Sequence, residues 1–343
     1  MLGGRGVGKT SLLVGMYSHF NQVFGTSNLR FDAEIGTSER LQKRLEELRL
    51  WEKDLGAMGG LRGTTDERSF CFRLGEKERI ALFRLEFIDY PGGWITDQLQ
   101  DVMRILKRSN VVLVAIDTPA LMEATGDWEH LHEIINKPRQ IKDILVELYR
   151  HVHHPHLVIF IPLRCERYVR NFGEAQQLQQ KIKAGYSETF EFLQSHPHSS
   201  KLAVAITPVQ TLGSVIFSRL VSKTDAQKAA KAPDDYVFYF EKVSSNAKYD
   251  PVDTDQPLRY ILSFVLSELV KRKKKTGLFN MLLGGPVRLL NLDRHEDSEF
   301  SRFLDALDGQ YKLKQAIQPF AEHCKENSPF QIVQGRSLFL KPL

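Results

Sequence analysis

Gly3-Gly4-Arg5-Gly6-Val7-Gly8-Lys9-Thr10 is the first stretch of this chain whose residue types and spacing imply chemistry. It follows the pattern G-x-x-x-x-G-K-[ST]. Glycines let successive backbone N–H groups curl around phosphate oxygens. Leu12, Leu13, Met16 and Phe20 predict a helix over Thr10–Phe20, whose partly positive N-terminus would face the same oxygens. In such a P-loop, Gly3, Gly4, Gly6, Val7, Gly8, Lys9, Thr10 and Ser11 are the expected nucleotide contacts. Lys9 is expected to reach the β- and γ-phosphates, and the Thr10 hydroxyl to ligate Mg²⁺. A loop of this kind ordinarily follows a buried central strand, and here only Met1 and Leu2 precede Gly3. Three explanations stand open: a misassigned start, a fragment, or a two-residue stub of that strand.

A second constellation lies in Arg84–Gly93, RLEFIDYPGG. A strand ending in Asp89, then Tyr90-Pro91-Gly92, fits D-x-x-G. In the P-loop GTPases, whose D-x-x-G this resembles, that Asp holds Mg²⁺ through its water shell and the Gly N–H meets the γ-phosphate, which implies those roles for Asp89 and Gly92. The same resemblance implies a loop threonine between the two motifs, completing the metal set of Thr10, Thr65 and Asp89. Thr65 is preferred because it sits just before a predicted strand; Thr64 is next. Thr37, at a predicted helix start beside a capping Ser38, is the weaker choice.

The elements that must hold these residues follow from periodicity. Glu39–Trp51 reads as a charged helix with Leu41, Leu45 and Leu48 as its apolar stripe. Gly56–Thr65 reads as a loop. Ser69–Leu74 and Ile80–Ile88 read as an antiparallel hairpin. Val111–Ile116, Leu157–Pro162 and Leu202–Ile206 are nearly unbroken apolar runs, the signature of parallel strands covered on both faces. Helices are predicted between them over Thr96–Lys107, Pro138–His151 and Glu174–Leu193. The alternation predicts an α/β fold: a doubly wound, mostly parallel sheet with one antiparallel hairpin strand. Ser222–Asp235 is a polar insert, Tyr236–Val243 a further strand and Leu258–Val270 a strong helix. The expected organisation is a domain over 1–275, with inserts at 21–63 and 214–250. A small, mainly helical extension over 276–343 would follow, with a possible strand at Phe330–Val333.

The order of parts over about residues 1–270 resembles the TRAFAC-type P-loop GTPases, the class containing Ras-like G domains. The resemblance implies GTP and GDP as ligands, with Mg²⁺. The class reads guanine with N-K-x-D after its fifth strand. The corresponding residues here are Leu163-Arg164-Cys165-Glu166, so Arg164 would cover the base and Glu166 would accept from its N1–H and N2–H₂. A literal Asn136-Lys137 is a decoy within a helical connection. Thr207-Pro208-Val209 stands where the class has S-A-K, leaving backbone contact at Thr207. The phrases PLRCE, ITPVQTLG and DQPLRYIL resemble the bacterial double-GTPase group of predicted conflict operons. That likeness implies a protein effector or a second GTPase chain as partner. The class places a water-orienting Gln after the D-x-x-G glycine. Gly93 and Trp94 stand there and can polarise no water, so slow, regulatory GTP hydrolysis is expected. Arg5 is the candidate cis arginine and, with Lys9, the catalytic pair. A P-loop ATPase or kinase-like enzyme, and a weakly catalytic nucleotide-dependent scaffold, are the alternatives.

Composition narrows the rest. The 343 residues carry 47 basic and 42 acidic side chains, a net +5 too mild to imply nucleic acid. Three separated cysteines, Cys71, Cys165 and Cys324, form no CxxC pair and suit a reducing, cytoplasmic setting. His151, His153, His154 and His156 straddle Pro155 without a carboxylate or cysteine at ligand spacing, and read as a solvated loop. Lys271–Lys275 is a basic run that can touch an anionic membrane, but helix-end charge and core packing explain it more simply.

Overall fold

The computed structural model describes residues 1–24, 29–53, 66–76, 81–197, 199–222, 235–283 and 330–339. Its elements run in the order α1 (Lys9–Phe24), β1 (Leu29–Ala33), α2 (Ile35–Lys53), β2 (Arg68–Glu76) and β3 (Ala81–Asp89). Next come α3 (Trp94–Asp97), α4 (Leu99–Leu106), β4 (Val111–Asp117), α5 (Thr118–Met122), α6 (Leu131–Asn136), α7 (Pro138–Tyr149) and β5 (His156–Leu163). The chain continues through α8 (Phe172–Gly185), α9 (Ser187–Ser195), β6 (Leu202–Ile206), β7 (Val215–Ser222), β8 (Tyr236–Lys242), α10 (Gln256–Leu283) and β9 (Ile332–Gln334).

The architecture is α/β. Strands β4, β5 and β6 pair in parallel, and β9 adds antiparallel to the edge of β6. Their side chains alternate between two cores, as a pleated sheet requires. Leu113, Ala115, Leu157, Ile159 and Ile161 join the core on the side of α1 and α10. Val112, Val114, Ile116, Val158 and Phe160 join the core on the side of α4, α7, α8 and α9. Both faces are therefore covered, which is why these strands read as unbroken apolar runs.

Strands β1, β2 and β3 form an antiparallel sheet in which Arg68 pairs with Asp89 and Phe72 with Leu85. Met1 and Leu2 link it to the parallel sheet. The Met1 amine donates to Ile88 O at 2.8 Å. Leu2 N donates to Leu113 O at 2.7 Å, and Leu2 O accepts from Ala115 N at 2.9 Å. Two residues thus occupy a strand position between β3 and β4, and Leu2 is fully buried there.

Several boundaries differ from the sequence expectations. The helix expected over Thr96–Lys107 is two, α3 and α4, broken at Gln98, whose φ of -136° and ψ of 50° are not helical. The helix expected over Glu174–Leu193 breaks at Tyr186, whose ring is buried in the core rather than on a helix face. Strands β1 and β7 and helices α5 and α6 carry too little periodic signal to be read locally. The insert 214–250 contains the antiparallel hairpin β7–β8, while 223–234 lies outside the described residues. The boundary at 275 falls within α10, and residues 284–329 lie outside the described residues. Beyond them, β9 returns to the main sheet, and Phe339 packs on Tyr260 and Phe264 of α10 at 6.1 and 6.2 Å. Among the described residues no helix is long and apolar enough to cross a membrane.

Candidate functional site

The loop Gly3–Gly8 leaves the Leu2 bridge and enters α1. Gly6 and Gly8 hold φ of 77° and 103°, a region that side chains with a Cβ rarely adopt. Leu12 N donates to Gly8 O at 2.9 Å and so begins the helix. The N–H groups of the first turn have no partner within the helix and point back toward the loop. Val7 is fully buried, Thr10 and Ser11 are half-buried, and Arg5 is exposed. Lys9 is buried, with Nζ donating to Gly3 O at 2.9 Å and Gly4 O at 3.1 Å. Burial lowers its pKa to about 8, partly offset by the nearby Asp89 carboxylate.

Asp89 ends β3 and is fully buried. The Thr10 hydroxyl donates to Asp89 Oδ2 at 2.7 Å, across 79 residues of sequence. Beyond Asp89 the chain turns onto the loop. A Cβ at Gly92 would lie 2.3 Å from the Gly4 carbonyl carbon and oxygen and 2.4 Å from Arg5 N. Only glycine permits that approach. Tyr90 anchors the turn: it is fully buried and stacks on Trp94 with ring centres 6.2 Å apart.

After β5, Arg164 takes a left-handed φ of 56°, and its N–H donates to Thr211 Oγ1 at 3.3 Å. Its Nη2 is shared between Asp117 Oδ2, at 2.5 Å, and the carbonyl of Gly6 in the loop. The Phe238 and Phe240 rings of β8 lie 5.9 and 6.0 Å from the guanidinium carbon. Glu166 is buried. Its Oε1 accepts from Leu212 N at 2.7 Å and Gly213 N at 3.3 Å, while Oε2 makes no hydrogen bond to any described residue. Burial raises its carboxyl pKa to about 7, although the backbone donors pull the other way.

Thr207 does not meet these groups; its N–H donates to Phe160 O of β5 at 3.0 Å, just past the end of β6. From the segment after β6, the residues that reach Arg164 and Glu166 are Thr211, Leu212 and Gly213. Their signal is weak in sequence: a hydroxyl, an apolar residue and a glycine, the last at φ 65°. Asp117 also stands here; at a strand end before Thr-Pro its type and place suit a helix cap. It is one: Oδ1 accepts from Ala120 N at 2.8 Å. Asn136, the decoy, is fully buried and grips the Asp117 backbone from both sides. Its Oδ1 accepts from Asp117 N at 2.7 Å, and its Nδ2 donates to Asp117 O at 3.1 Å.

The whole of Gly56–Thr65, Thr64 and Thr65 included, lies outside the described residues. Thr37 is buried away from the loop, its Oγ1 accepting from Cys71 N of β2 at 2.9 Å. His156 packs on Tyr149 with ring centres 5.3 Å apart, and burial lowers its pKa to about 4. Lys271 donates to Glu268 and to Ser337 O, at 3.0 and 2.9 Å. The side chains of 272–275 lie outside the description.

The arrangement gathers backbone donors, one buried ammonium, a hydroxyl and a carboxylate around one glycine loop. Beside them stand an arginine and a buried carboxylate that together offer a donor and an acceptor face. Such a set can bind a polyanion at one end and a hydrogen-bonding ring at the other. No protein-family model matches the chain, and no curated protein matches it.

Proposed function

We propose that this protein binds GTP and GDP with Mg²⁺ and acts as a slow regulatory GTPase of the P-loop, G-domain type. The observation that carries this reading is the hydrogen bond between Thr10 and Asp89, at the mouth of a glycine loop on which Gly92 rests. The two motifs are 79 residues apart, and a chance glycine turn gives no reason for their meeting. The strand order supports the same reading, with the loop arising from a position between β3 and the parallel strands.

The residues fit a hydrated hard cation beside phosphate. Mg²⁺ is held by one or two protein oxygens plus phosphate and water, and Thr10 and Asp89 supply a hydroxyl and a carboxylate. Among the described residues no three His, Cys, Asp or Glu gather as an all-protein cage, and such a site needs none. When bound, the ion offsets phosphate charge. The chain's own residues do the rest. Gly3–Gly8 and the start of α1 offer backbone N–H groups to the phosphates. Lys9 supplies a buried cation beside them. Arg164 and Glu166 form the base side, with Oε2 of Glu166 as the acceptor for a guanine edge. Gly92 N–H lies at the loop, and Arg5 beside it is the candidate for transition-state charge. Trp94 is committed to Tyr90, and Gly93 has no side chain, so neither orients water. That same observation favours a second reading, a nucleotide-dependent scaffold whose weak hydrolysis only times its release from an effector or a second GTPase chain.

Affinities for GTP, GDP, ATP and ADP with and without Mg²⁺ test the proposal. Submicromolar, Mg²⁺-dependent binding with guanine preferred supports it. Equal competition by ATP removes the base assignment, and absence of any triphosphate binding removes the whole reading.

A further inference from the structure

Asp117 carries more than a helix cap requires. Every polar atom it owns is engaged: Oδ1 by Ala120 N, Oδ2 by Arg164, and its N–H and carbonyl by Asn136. It is fully buried, and burial raises its carboxyl pKa even with the Arg164 guanidinium beside it. One neutral oxygen caps a helix as well as a carboxylate does. A buried charge is therefore an expensive way to cap five residues, and the expense falls on the second oxygen. That oxygen meets Arg164 Nη2 at 2.5 Å, and the same nitrogen donates to Gly6 O.

Arg164 is itself over-determined. Its backbone stays in the left-handed region at φ 56°, which a non-glycine residue keeps only when its surroundings impose it. Thr211 Oγ1 holds its N–H, the Phe238 and Phe240 rings flank its guanidinium, and Asp117 fixes its end. Asp117 is held in turn by Asn136, whose Nδ2 also meets His132 Nδ1 at 3.0 Å. The linkage runs from the α5–α6 segment through Asp117 and Arg164 into the phosphate loop.

We propose that Asp117 is a positioning residue that locks Arg164 across the phosphate loop, tying the base side of the nucleotide site to Gly6 and slowing nucleotide release. The inference rests on the nucleotide-binding reading above. Without Asp117 the guanidinium loses its ion-pair partner, and the Phe238 and Phe240 rings alone do not fix its direction, so Gly6 O loses its donor for part of the time.

Asp117→Asn keeps the capping oxygen and the volume and removes the charge. The test is stopped-flow release of N-methylanthraniloyl-GDP and -GTP, with Mg²⁺, from the full chain, Asp117→Asn, Arg164→Ala and the double variant. We expect Asp117→Asn to release nucleotide roughly 10- to 100-fold faster, a loss in the range of a charge-assisted pair. In the Arg164→Ala background the same change should have almost no effect, because the group it positions is gone. Should Asp117→Asn fail to fold, Asp117→Ser keeps a cap and is read in the same cycle. Unchanged release in Asp117→Asn, or effects of the two changes that simply multiply, overturns the proposal while nucleotide binding stands. If the unaltered chain binds neither probe, the reading beneath falls and takes this inference with it.

Discussion

The α-carbon of Gly92 packs so closely on Gly4 that a methyl group there would fall 2.3 Å from the Gly4 carbonyl. The contact joins the turn after β3 to the glycine loop before α1, and it leaves no room for a side chain. Gly92→Ala must therefore push the two loops apart. We expect a loss of about 1–3 kcal/mol in urea unfolding, the range for overpacking a tight contact. We also expect GTP affinity to fall more than GDP affinity, since Gly92 N–H is assigned to the γ-phosphate. Equal losses for both nucleotides would remove that assignment.

Lys9 supplies a second test, with its sign set by burial. Its pKa is lowered to about 8 in the ligand-free chain. Phosphate anions favour the charged form and raise it again. Binding should therefore take up about half a proton at pH 8 and almost none at pH 6. Calorimetry in two buffers of different ionisation enthalpy reads this directly. Lys9→Ala should stay folded by circular dichroism, lose triphosphate binding and show no uptake. A folded Lys9→Ala variant with unchanged affinity would sink the assignment.

Glu166 links stability and selectivity to pH. Its folded pKa, about 7, lies above its ordinary 4.5. The folded chain thus holds an extra proton between those values. The stability of the neutral form is complete below pH 4.5 and is lost as pH rises through 7. Glu166→Gln mimics the neutral form, so it should be more stable than the unaltered chain at pH 8, by about 1–3 kcal/mol, and equal to it near pH 4. If the Glu166 carboxylate reads guanine as proposed, the ratio of GTP to ATP affinity should rise between pH 6 and 8 and stay flat in Glu166→Gln. A ratio independent of pH in the unaltered chain would assign the base to other groups.

The switch reading predicts that residues 56–66 and 90–97 respond together to the γ-phosphate. The first segment is glycine-rich, Gly59-Gly60 to Gly63, and has few apolar residues to order it. In the second, Tyr90 and Trp94 anchor the turn while Gly92 and Gly93 let it adjust. Hydrogen exchange with GDP and with a non-hydrolysable GTP analogue should show greater protection of both segments in the triphosphate state. Equal protection in the two states would mean that the protein is not a switch of this kind.

The residue order was enough to find what depends on local pattern. The glycine loop with Lys9 and Thr10 is legible because its spacing is itself the device. The buried strands β4, β5 and β6 are legible because burial on both faces forces unbroken apolar runs. Asp89 and Gly92 stand out in sequence through the strand and Pro-Gly turn around them, and the fold brings both to the glycine loop.

What sequence could not decide depends on contacts between distant residues. Asn136 looks like a decoy until the fold sets it on the Asp117 backbone, and nothing in sequence marks Asp117 before β4 and β5 bring its carboxylate to Arg164. Thr211–Gly213 supply the groups facing Glu166, and Thr207 does not, because just past β6 the N–H groups of Thr207 and Val209 are taken by the carbonyls of Phe160 and Pro162 of β5. The helix breaks at Gln98 and Tyr186 were hidden because helical periodicity persists across a one-residue interruption. In each case the deciding energy comes from burying or pairing a group against a partner tens of residues away. Local propensity carries no record of such a partner, so only the tertiary structure could choose it.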